Sequence, residues 1–407
     1  MSSRRQRSGW KIAVVIVAVV VVLGGIYAGV QLLRAAPHPT LALQSDRTSV
    51  VPGHVTFPNV GAEATVGLLG VGNLESVGGN TETPIASVTK LMSALVILHD
   101  HPLSTGASGP LIPITPADVT RYQQERAAQD SVIPVQVGEH LTEYQALEAA
   151  LVPSADNVIE LLAQWDAGST SAFVAKMNAE AHALGLTHTH YAGPSGVNPG
   201  SVSDAADQAA VATLALENPI IAGIVAQPQV TLPVAGLAYN VNADLGHDGI
   251  YGVKTGWVPQ GGASFVFAAH RDVAGKTRSI VGALVGVLAT PNLPSALADA
   301  RKLVVAAGGN IHETTVLPAH FVLGELRAPW GGPVPVETAA TARLLAWPGA
   351  TVTVTPDVHP GTLTAPVAAG TRLGTATVSL GSEHVRIPVV SAGTLSGPTT
   401  TWRLLHP

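Results

Sequence analysis

The sequence predicts three parts: a transmembrane helix near the N-terminus, an α/β domain with an inserted helical lobe, and a small all-β domain after it. The stretch Ile12–Leu33 carries no charged residue and is long enough for a helix that crosses a bilayer. The middle of the chain has, in order, a hairpin, several helices, two strands and a further helix, which is typical of an α/β domain. From about residue 313 onward the chain is rich in Val and Thr with frequent Pro and Gly, which favours short strands.

Charge placement predicts the orientation of the apolar helix. Four basic residues precede it and one follows it: Arg4, Arg5, Arg7 and Lys11, then Arg34. The positive-inside rule places residues 1–11 in the cytoplasm as a short tail, residues 12–33 in the cell membrane as a single-pass anchor, and the rest of the chain outside the cytoplasm. A cleavable signal peptide is the alternative, but its apolar core is shorter and it ends at a small-residue cleavage site, which is not visible here.

Composition excludes several classes of function. The formal charge is −6, only 12% of residues are charged, and no long basic run is present, which argues against a nucleic-acid partner. Because the chain has no cysteine, disulfide scaffolds, cysteine zinc sites and thiol catalysis are excluded.

Hydrophobic periodicity and turn signals locate the elements and the domain boundaries. Residues 34–57 read as a linker, 58–309 as the α/β domain and 310–407 as the β-rich accessory domain. The predicted elements of the α/β domain are a hairpin over 64–78, helices over 86–99, from a capping box at 142 to before 153, 156–165, 171–184, 204–218 and 295–307, and strands over 263–270 and 278–288.

The first candidate catalytic pair is Ser87 and Lys90, at the start of a helix predicted to be buried. Residues three apart share a helix face, so the lysine side chain can reach the serine hydroxyl. A serine is a weak nucleophile until a base takes its proton, and a buried lysine can be that base. The same spacing also occurs at Ser8 and Lys11, so this pair alone is weak evidence.

Two further motifs follow in the order that this chemistry requires. Ser154-Ala-Asp156-Asn157 lies between two predicted helices, where a hydroxyl and an amide can point into a cleft. Lys254-Thr255-Gly256 offers a cation and a hydroxyl to an anionic substrate group, with a glycine that permits close backbone approach. Together the three motifs match the set known from penicillin-binding proteins and class A β-lactamases.

With these motifs the chain resembles the serine-type D-alanyl-D-alanine carboxypeptidases, the low-molecular-mass penicillin-binding proteins of peptidase family S11. The resemblance covers about residues 61–308, and Tyr191-Ala-Gly-Pro-Ser-Gly-Val197 is a further landmark of it. It implies a fold like that of the DD-peptidases and serine β-lactamases: an antiparallel sheet flanked by helices, with a helical lobe. No metal or organic cofactor is implied.

The resemblance also implies the catalytic roles. Ser87 would attack the penultimate D-alanine carbonyl of a peptidoglycan stem peptide, Lys90 would take its proton, and Ser154 would help to relay that proton to the leaving D-alanine. Lys254 and Thr255 would hold the terminal carboxylate, beside Gly256.

Backbone N–H groups of Ser87 and Trp257 would form the oxyanion hole, and water would hydrolyse the acyl-enzyme. β-Lactam antibiotics would be covalent inhibitors.

Asp156 is a departure from the family, whose second motif usually reads Ser-x-Asn. A carboxylate beside Lys90 would favour the charged lysine and weaken it as a base. Alternatively, a salt bridge or a helix N-cap satisfies Asp156, and Asn157 takes the place of the amide in the substrate-binding cleft.

We therefore expect a membrane-anchored carboxypeptidase that removes the terminal D-alanine from stem peptides. Two alternatives stay open: a catalytically impaired homologue that binds peptidoglycan, which Asp156 favours, and a β-lactamase on the same fold. A metal site at His188 and His190 is disfavoured because no third ligand is evident.

Overall fold

The structure is a computed structural model that describes residues 3–290, 292–358 and 363–406, with the side chains of residues 3–9 outside the description. The chain forms two compact units. We call residues 52–313 with 345–350 the α/β unit, and residues up to 51 with 314–344 and those from 351 onward the β unit.

The described helices, in chain order, are α1 Ser3–Leu33, α2 Lys90–Asp100, α3 Pro116–Ala128, α4 Glu143–Leu151, α5 Asp156–Ala167, α6 Thr170–Ala183, α7 Ala205–Glu217, α8 Pro219–Val225, α9 Asn292–Asn310 and α10 Thr400–Leu405. Short 3₁₀ turns span Ala86–Thr89 and His247–Gly249.

The described strands are β1 Thr40–Leu43, β2 Arg47–Val50, β3 Glu63–Leu68, β4 Gly72–Val77, β5 Thr83–Pro84, β6 Leu111–Pro113, β7 His140–Thr142, β8 Val202–Ser203, β9 Gln229–Leu232, β10 Gly236–Tyr239, β11 Ile250–Val258, β12 Gly262–Val273, β13 Lys276–Val287, β14 His312–Leu317, β15 Val322–Ala328, β16 Gly331–Thr338, β17 Ala342–Ala346, β18 Thr351–Asp357, β19 Arg372–Leu380 and β20 Glu383–Ser391.

A five-stranded antiparallel sheet in the order β11-β12-β13-β3-β4 is the frame of the α/β unit. Strands β3, β12 and β13 are buried along most of their length because α7 and α9 pack against the sheet. The predicted hairpin over 64–78 is confirmed as β3 and β4, and the predicted strand pair as β12 and β13, which meet at the turn Ala274–Gly275. The predicted α/β fold class, with its antiparallel sheet and flanking helices, is confirmed.

Local capping signals explain where the helices of the lobe begin. Thr142 and Gln145 form the predicted capping box at the start of α4, and the Asp204 side chain caps α7. A second capping box, Thr115 with Asp118, opens α3, which the sequence analysis did not predict. Helix α3 has a largely exposed polar surface, so it lacks the apolar periodicity on which the other predictions depended.

The predicted helix over 86–99 begins as the 3₁₀ turn Ala86–Thr89 and continues as α2. Eight of its eleven residues in α2 are buried, since α4, α5, α6 and α7 all contact it. This central position fixes the first catalytic motif inside the helical lobe.

The β unit contains a seven-stranded sheet in the order β1-β15-β16-β20-β19-β18-β2. Its two outer strands come from residues 40–50, which the sequence analysis assigned to a linker: β1 pairs with β15 and β2 pairs with β18. The prediction of an irregular linker over 34–57 therefore needs correction for β1 and β2. Their short length and the prolines around them conceal strands that pair only with partners from the far end of the chain.

Within α1, Trp10–Leu33 has a mean hydropathy of 2.8 and is long and apolar enough to cross a bilayer. Its apolar side chains are exposed, as expected of a surface that contacts lipid. It is a candidate membrane anchor. Near its end, the Arg403 guanidinium of α10 donates hydrogen bonds to the Leu32 and Arg34 carbonyl oxygens.

Candidate active site

Ser87 lies in the 3₁₀ turn that precedes α2, and its side chain is partly accessible. The Lys90 Nζ atom lies 2.8 Å from the Ser87 Oγ atom, so the two side chains are in direct hydrogen-bond contact. This is the distance at which a base can take a proton from a serine nucleophile.

The Lys90 ammonium has three hydrogen-bond partners and 0% side-chain exposure. Besides Ser87, it donates to the Asp156 Oδ1 atom at 2.6 Å and to the Ser195 backbone oxygen at 2.9 Å. An ammonium group carries three protons, so this arrangement satisfies all of them.

Asp156 is the first residue of α5 and forms a buried ion pair with Lys90, its own side chain being 4% exposed. Its second oxygen, Oδ2, accepts a hydrogen bond from the Ser131 backbone N–H at 3.0 Å. Both carboxylate oxygens are therefore bonded, which fixes the orientation of the side chain. Of the two predicted ways to satisfy the Asp156 carboxylate, a salt bridge or a helix N-cap, the structure contains the salt bridge, and the partner is Lys90.

Asn157 does not face the nucleophile. Its Oδ1 atom accepts from the Ile133 N–H at 3.1 Å, and its Nδ2 atom donates to the Ile133 carbonyl at 3.0 Å. This buried side chain is paired with the backbone of a neighbouring loop. The role of Asn157 in place of the amide in the substrate-binding cleft stays a prediction.

Ser154 is buried, and its hydroxyl oxygen has no hydrogen-bond partner among the residues that the structure describes. Its φ angle of 65° is in the left-handed region, which is uncommon for a residue other than glycine. Ser154 precedes the ion-paired Asp156 by two residues. The strained backbone marks a constrained position of the kind that clusters at active sites.

Lys254, Thr255 and Gly256 lie in β11, at one edge of the five-stranded sheet. A Cβ atom on Gly256 would be 2.7 Å from the Ile85 carbonyl oxygen and 3.0 Å from the Ser87 backbone nitrogen. Glycine at this position thus lets the third motif lie directly against the turn that carries the nucleophile.

The Lys254 ammonium is buried and donates to the Thr255 carbonyl oxygen at 3.1 Å. Burial lowers the pKa of Lys254 well below its usual range, and the neighbouring charge of Lys90 lowers it further while Asp156 opposes the shift. An anionic group bound next to Lys254 would favour its charged form and give the buried ammonium a charge partner.

Trp257 follows this motif with 53% of its side chain exposed. It continues β11 and pairs in register with Ala263 of β12. The role predicted for its backbone N–H in an oxyanion hole stays a prediction.

Two features of the site were missed by the sequence analysis. The Ser195 carbonyl binds Lys90, and Gly196, at φ 82°, lies so close to the Ala86 carbonyl that a Cβ atom would be 1.9 Å from its oxygen. Ala86 itself has a φ angle of 51°. Ser195 and Gly196 both lie in the family landmark over residues 191–197. Periodicity and motif spacing could not predict which residues this segment contacts.

Carboxyl groups surround the ion pair on the side of the helical lobe. Burial raises the pKa of Glu125 to about 7, with further contributions from the charges of Asp156 and Glu160. Burial also raises the pKa of Asp130 and of Glu160, and the charge of Asp156 adds to each shift. The carboxylate of Asp156 thus lies in an acidic environment.

Within the described part of the chain, no group of three or more His, Asp or Glu side chains is arranged to hold a metal ion.

A serine bonded to a buried lysine, with a second buried lysine on an adjacent edge strand, defines a serine acyl-transfer site of the kind that the three motifs predict. A profile of the D-alanyl-D-alanine carboxypeptidase family matches residues 74–283, which contain all three motifs. The chain belongs to this family, and its enzymatic class is that of the serine-type hydrolases.

Two relatives are named as D-alanyl-D-alanine peptidases. The D-alanyl-D-alanine carboxypeptidase DacB2 of Mycobacterium tuberculosis is 32% identical over 216 residues, which are 51% of this chain and 69% of the relative. The D-alanyl-D-alanine endopeptidase of Pseudomonas aeruginosa is 34% identical over 149 residues, 37% of this chain and 45% of the relative. The match thus spans less than half the length of the Pseudomonas protein.

Solved structures share the fold. The crystal structure of the Streptomyces K15 DD-transpeptidase matches 63% of this chain and 99% of its own, with 26% identity and a TM-score of 0.55. Penicillin-binding protein 5 from Haemophilus influenzae matches 84% of this chain and 100% of its own with a TM-score of 0.59, and its 18% identity supports the fold alone.

Proposed function

We propose that this protein is a membrane-anchored D-alanyl-D-alanine carboxypeptidase that removes the terminal D-alanine from peptidoglycan stem peptides through an acyl-enzyme on Ser87. The observation that carries the proposal is the direct contact between the Ser87 hydroxyl and the buried Lys90 ammonium, beside a second buried lysine. Penicillins, which react as acyl donors with such serines, would bind covalently at the same residue.

In the acylation step, Lys90 as the free amine takes the Ser87 proton while the serine oxygen attacks the carbonyl carbon of the penultimate D-alanine. The negative charge that develops on the carbonyl oxygen needs backbone N–H donors, which Ser87 and Trp257 would supply. Removal of one such donor in an oxyanion hole typically costs about 10²- to 10³-fold in rate. The tetrahedral intermediate then expels D-alanine, whose nitrogen receives a proton.

Ser154 would serve in that second proton transfer. Its buried hydroxyl lies two residues from Asp156, which contacts Lys90 directly. A hydroxyl can accept a proton from Lys90 and pass its own to the leaving amine, so no net charge moves on the serine. Water would later attack the acyl-enzyme, and the same groups would return the proton to Ser87.

Lys254 and Thr255 would bind the terminal carboxylate of the substrate. Because β11 is at the edge of the sheet, the row of backbone groups that faces away from β12 is available to an extended peptide. Substrate binding thus adds a strand next to the nucleophile and selects for a free C-terminus.

The topology belongs to the same proposal. Residues 1–11 would remain in the cytoplasm and α1 would hold the enzyme in the cell membrane, so that the α/β unit acts outside the cytoplasm, where peptidoglycan is located. No nucleic acid is involved.

Release of D-alanine from a peptide that ends in D-Ala-D-Ala tests the function directly. The full chain in detergent is expected to release D-alanine, and Ser87→Ala is expected to lower that rate at least about a thousandfold while thermal unfolding stays unchanged. A peptide that ends in D-Ala-L-Ala serves as the substrate control.

Other outcomes would identify the alternatives. A folded protein that neither releases D-alanine nor forms a covalent adduct with penicillin would be a peptidoglycan-binding homologue without activity. A protein that destroys penicillin rapidly, with many turnovers per minute, would be a β-lactamase.

A further inference from the structure

Lys90, which contacts the Ser87 hydroxyl, forms a buried ion pair with Asp156. At the position of Asp156 the family usually has an asparagine. We propose that Asp156 is a positioning residue that holds Lys90 as an ammonium ion in the resting enzyme, so that acylation of Ser87 begins only after this pair loses a proton to solvent. The inference rests on the proposed function, because it concerns the rate of the same acylation step.

The Lys90 side-chain nitrogen lies within hydrogen-bond distance of three oxygen atoms. All three ammonium protons have acceptors: Ser87 Oγ at 2.8 Å, Asp156 Oδ1 at 2.6 Å and Ser195 O at 2.9 Å. When Lys90 is an ammonium ion, the serine oxygen is an acceptor and the lysine nitrogen has no free lone pair. The Asp156 carboxylate, 2.6 Å away, favours this form, in which Lys90 takes the Ser87 proton only after one of its own protons has left.

Asp156 is held in place as well as charged. Ser131 donates its backbone N–H to Oδ2, and the Asp156 N–H donates to the Ser131 carbonyl at 2.6 Å. The carboxylate therefore stays in contact with Lys90 and favours its charged form, as an opposite charge at this distance does. An asparagine in the same place would carry no charge and would leave the buried lysine to lose its proton more readily.

A solvent base removes one proton from Lys90, which becomes a neutral amine while Asp156 stays a carboxylate. The amine then accepts the Ser87 proton as the serine oxygen forms its bond to the carbonyl carbon, which regenerates the ammonium ion and leaves the negative charge on the carbonyl oxygen.

Other charged groups also face the pair. Lys254 approaches from β11, and Asp130, Glu125 and Glu160 approach from the loop after α3, from α3 and from α5. The acids add negative potential and Lys254 opposes it. Since Glu125 titrates near pH 7, its effect has to be separated from that of Asp156.

The test is the rate of covalent labelling by a fluorescent penicillin between pH 5.5 and 9, with the full chain in detergent. In the parent protein the rate should rise with pH, because only the form that has lost a proton reacts. Asp156→Asn should label at least about tenfold faster at pH 6 and show a flatter profile. Asp156→Ala removes the same charge without an amide and should show the same change.

Two matched controls remove a nearby carboxylate that does not touch Lys90. Asp130→Asn and Glu125→Gln should keep the steep profile of the parent protein, with a much smaller change in rate at pH 6. Thermal unfolding of each variant verifies that the fold is retained.

The outcomes separate this inference from the proposed function. A parent protein whose labelling does not rise between pH 6 and 8 would overturn the role of Asp156, even if its variants fail to fold. An Asp156→Asn protein that labels no faster than the parent would do the same while the carboxypeptidase function stands. No labelling of any folded variant would instead contradict the proposed function, and this inference with it.

Discussion

The residues that hold Ser87 in place are small, and two of them are glycines that approach other backbone atoms closely. Gly196 lies against the Ala86 carbonyl and Gly256 lies against Ile85 and Ser87. These contacts fix the turn that carries the nucleophile. The proposed acyl transfer would therefore depend on backbone position as well as on the identity of the reactive side chains.

Gly196→Ala should impair both stability and acylation. The added Cβ atom would be 1.9 Å from the Ala86 oxygen at a φ angle that alanine rarely adopts, so the turn before Ser87 must shift. We expect a loss of at least about 2 kcal/mol in the free energy of unfolding. Denaturant unfolding and penicillin labelling measure the two effects.

Gly223→Ala is the matched control for this prediction. Gly223 lies in α8 with no atom within 4 Å of the added Cβ, and its φ angle is ordinary. Alanine there should stabilise the helix by about 0.5–1 kcal/mol. Equal effects of the two substitutions would contradict the packing argument at Gly196.

The lowered pKa of Lys254 leads to a separate prediction, for the pH dependence of KM. Its lowered pKa means that the ammonium form, which binds a carboxylate, is lost as the pH rises through that value. KM for a peptide with a free terminal carboxylate should therefore increase with pH. The same peptide with an amidated C-terminus should not show this increase, and parallel pH profiles for the two peptides would count against the assigned role.

Much of the site at the residue scale could be predicted from the sequence. Ser87 and Lys90 were predicted from their spacing, because residues three apart share a helix face, and Lys254 was predicted from the order of the motifs. The partners of Lys90 and Asn157 could not be predicted: the Ser195 carbonyl and the Ile133 backbone reach the site only through tertiary packing, and no side-chain motif encodes a carbonyl acceptor.

At the scale of elements, the N-terminus of α5 is the part that binds the loop over residues 131–133. Asp156 and Asn157 each form two hydrogen bonds with that loop, through Ser131 and Ile133. Asp156 also forms an ion pair with Lys90, whereas the Asn157 side chain bonds only to the backbone of Ile133. Adjacent residues of one motif thus have different tasks.

Asn157→Ala should lower stability with little effect on chemistry. It leaves the buried N–H and C=O groups of Ile133 without partners, which costs about 1–3 kcal/mol. In a domain of this size the melting temperature should fall by about 2–8 °C. Differential scanning calorimetry measures the shift, and the labelling rate of the folded protein should stay within about threefold of the parent.

Gln164→Ala, at an exposed position of the same helix, is the control and should change the melting temperature very little. A large fall in the labelling rate of Asn157→Ala, without a fall in stability, would support Asn157 as a substrate-binding residue.

Element prediction depended on signals that lie within a short stretch of sequence. The capping box at Thr142 gave the start of α4, and short apolar runs gave β12 and β13. Strand β11 was not predicted, because its glycines and lysine interrupt the apolar run that a buried strand otherwise shows. Its strand geometry comes from pairing with β12.

At the scale of the whole chain, the segment that follows α1 is part of the β unit and not a free tether. Strands β1 and β2 follow the candidate membrane helix and form the outer strands of a sheet whose other members come after residue 320. Such long-range pairing gives no local signal, which explains why composition predicted a linker here.

The proposed topology predicts the accessibility of single cysteines. The chain contains none, so an introduced thiol reports on one position only. Ser104→Cys, in an exposed loop of the α/β unit, should react with a membrane-impermeant maleimide in intact cells. Ser8→Cys should react only after the membrane is permeabilised, and labelling of Ser8→Cys in intact cells would reverse the proposed orientation.

The central claim is that Ser87 forms the acyl-enzyme, and mass spectrometry of the penicillin-treated full chain tests it most directly. We predict one penicilloyl adduct per chain, located after proteolysis on the peptide that contains Ser87, and no adduct on Ser87→Ala. An adduct on another residue, or equal adduct formation by the folded Ser87→Ala protein, would contradict the account.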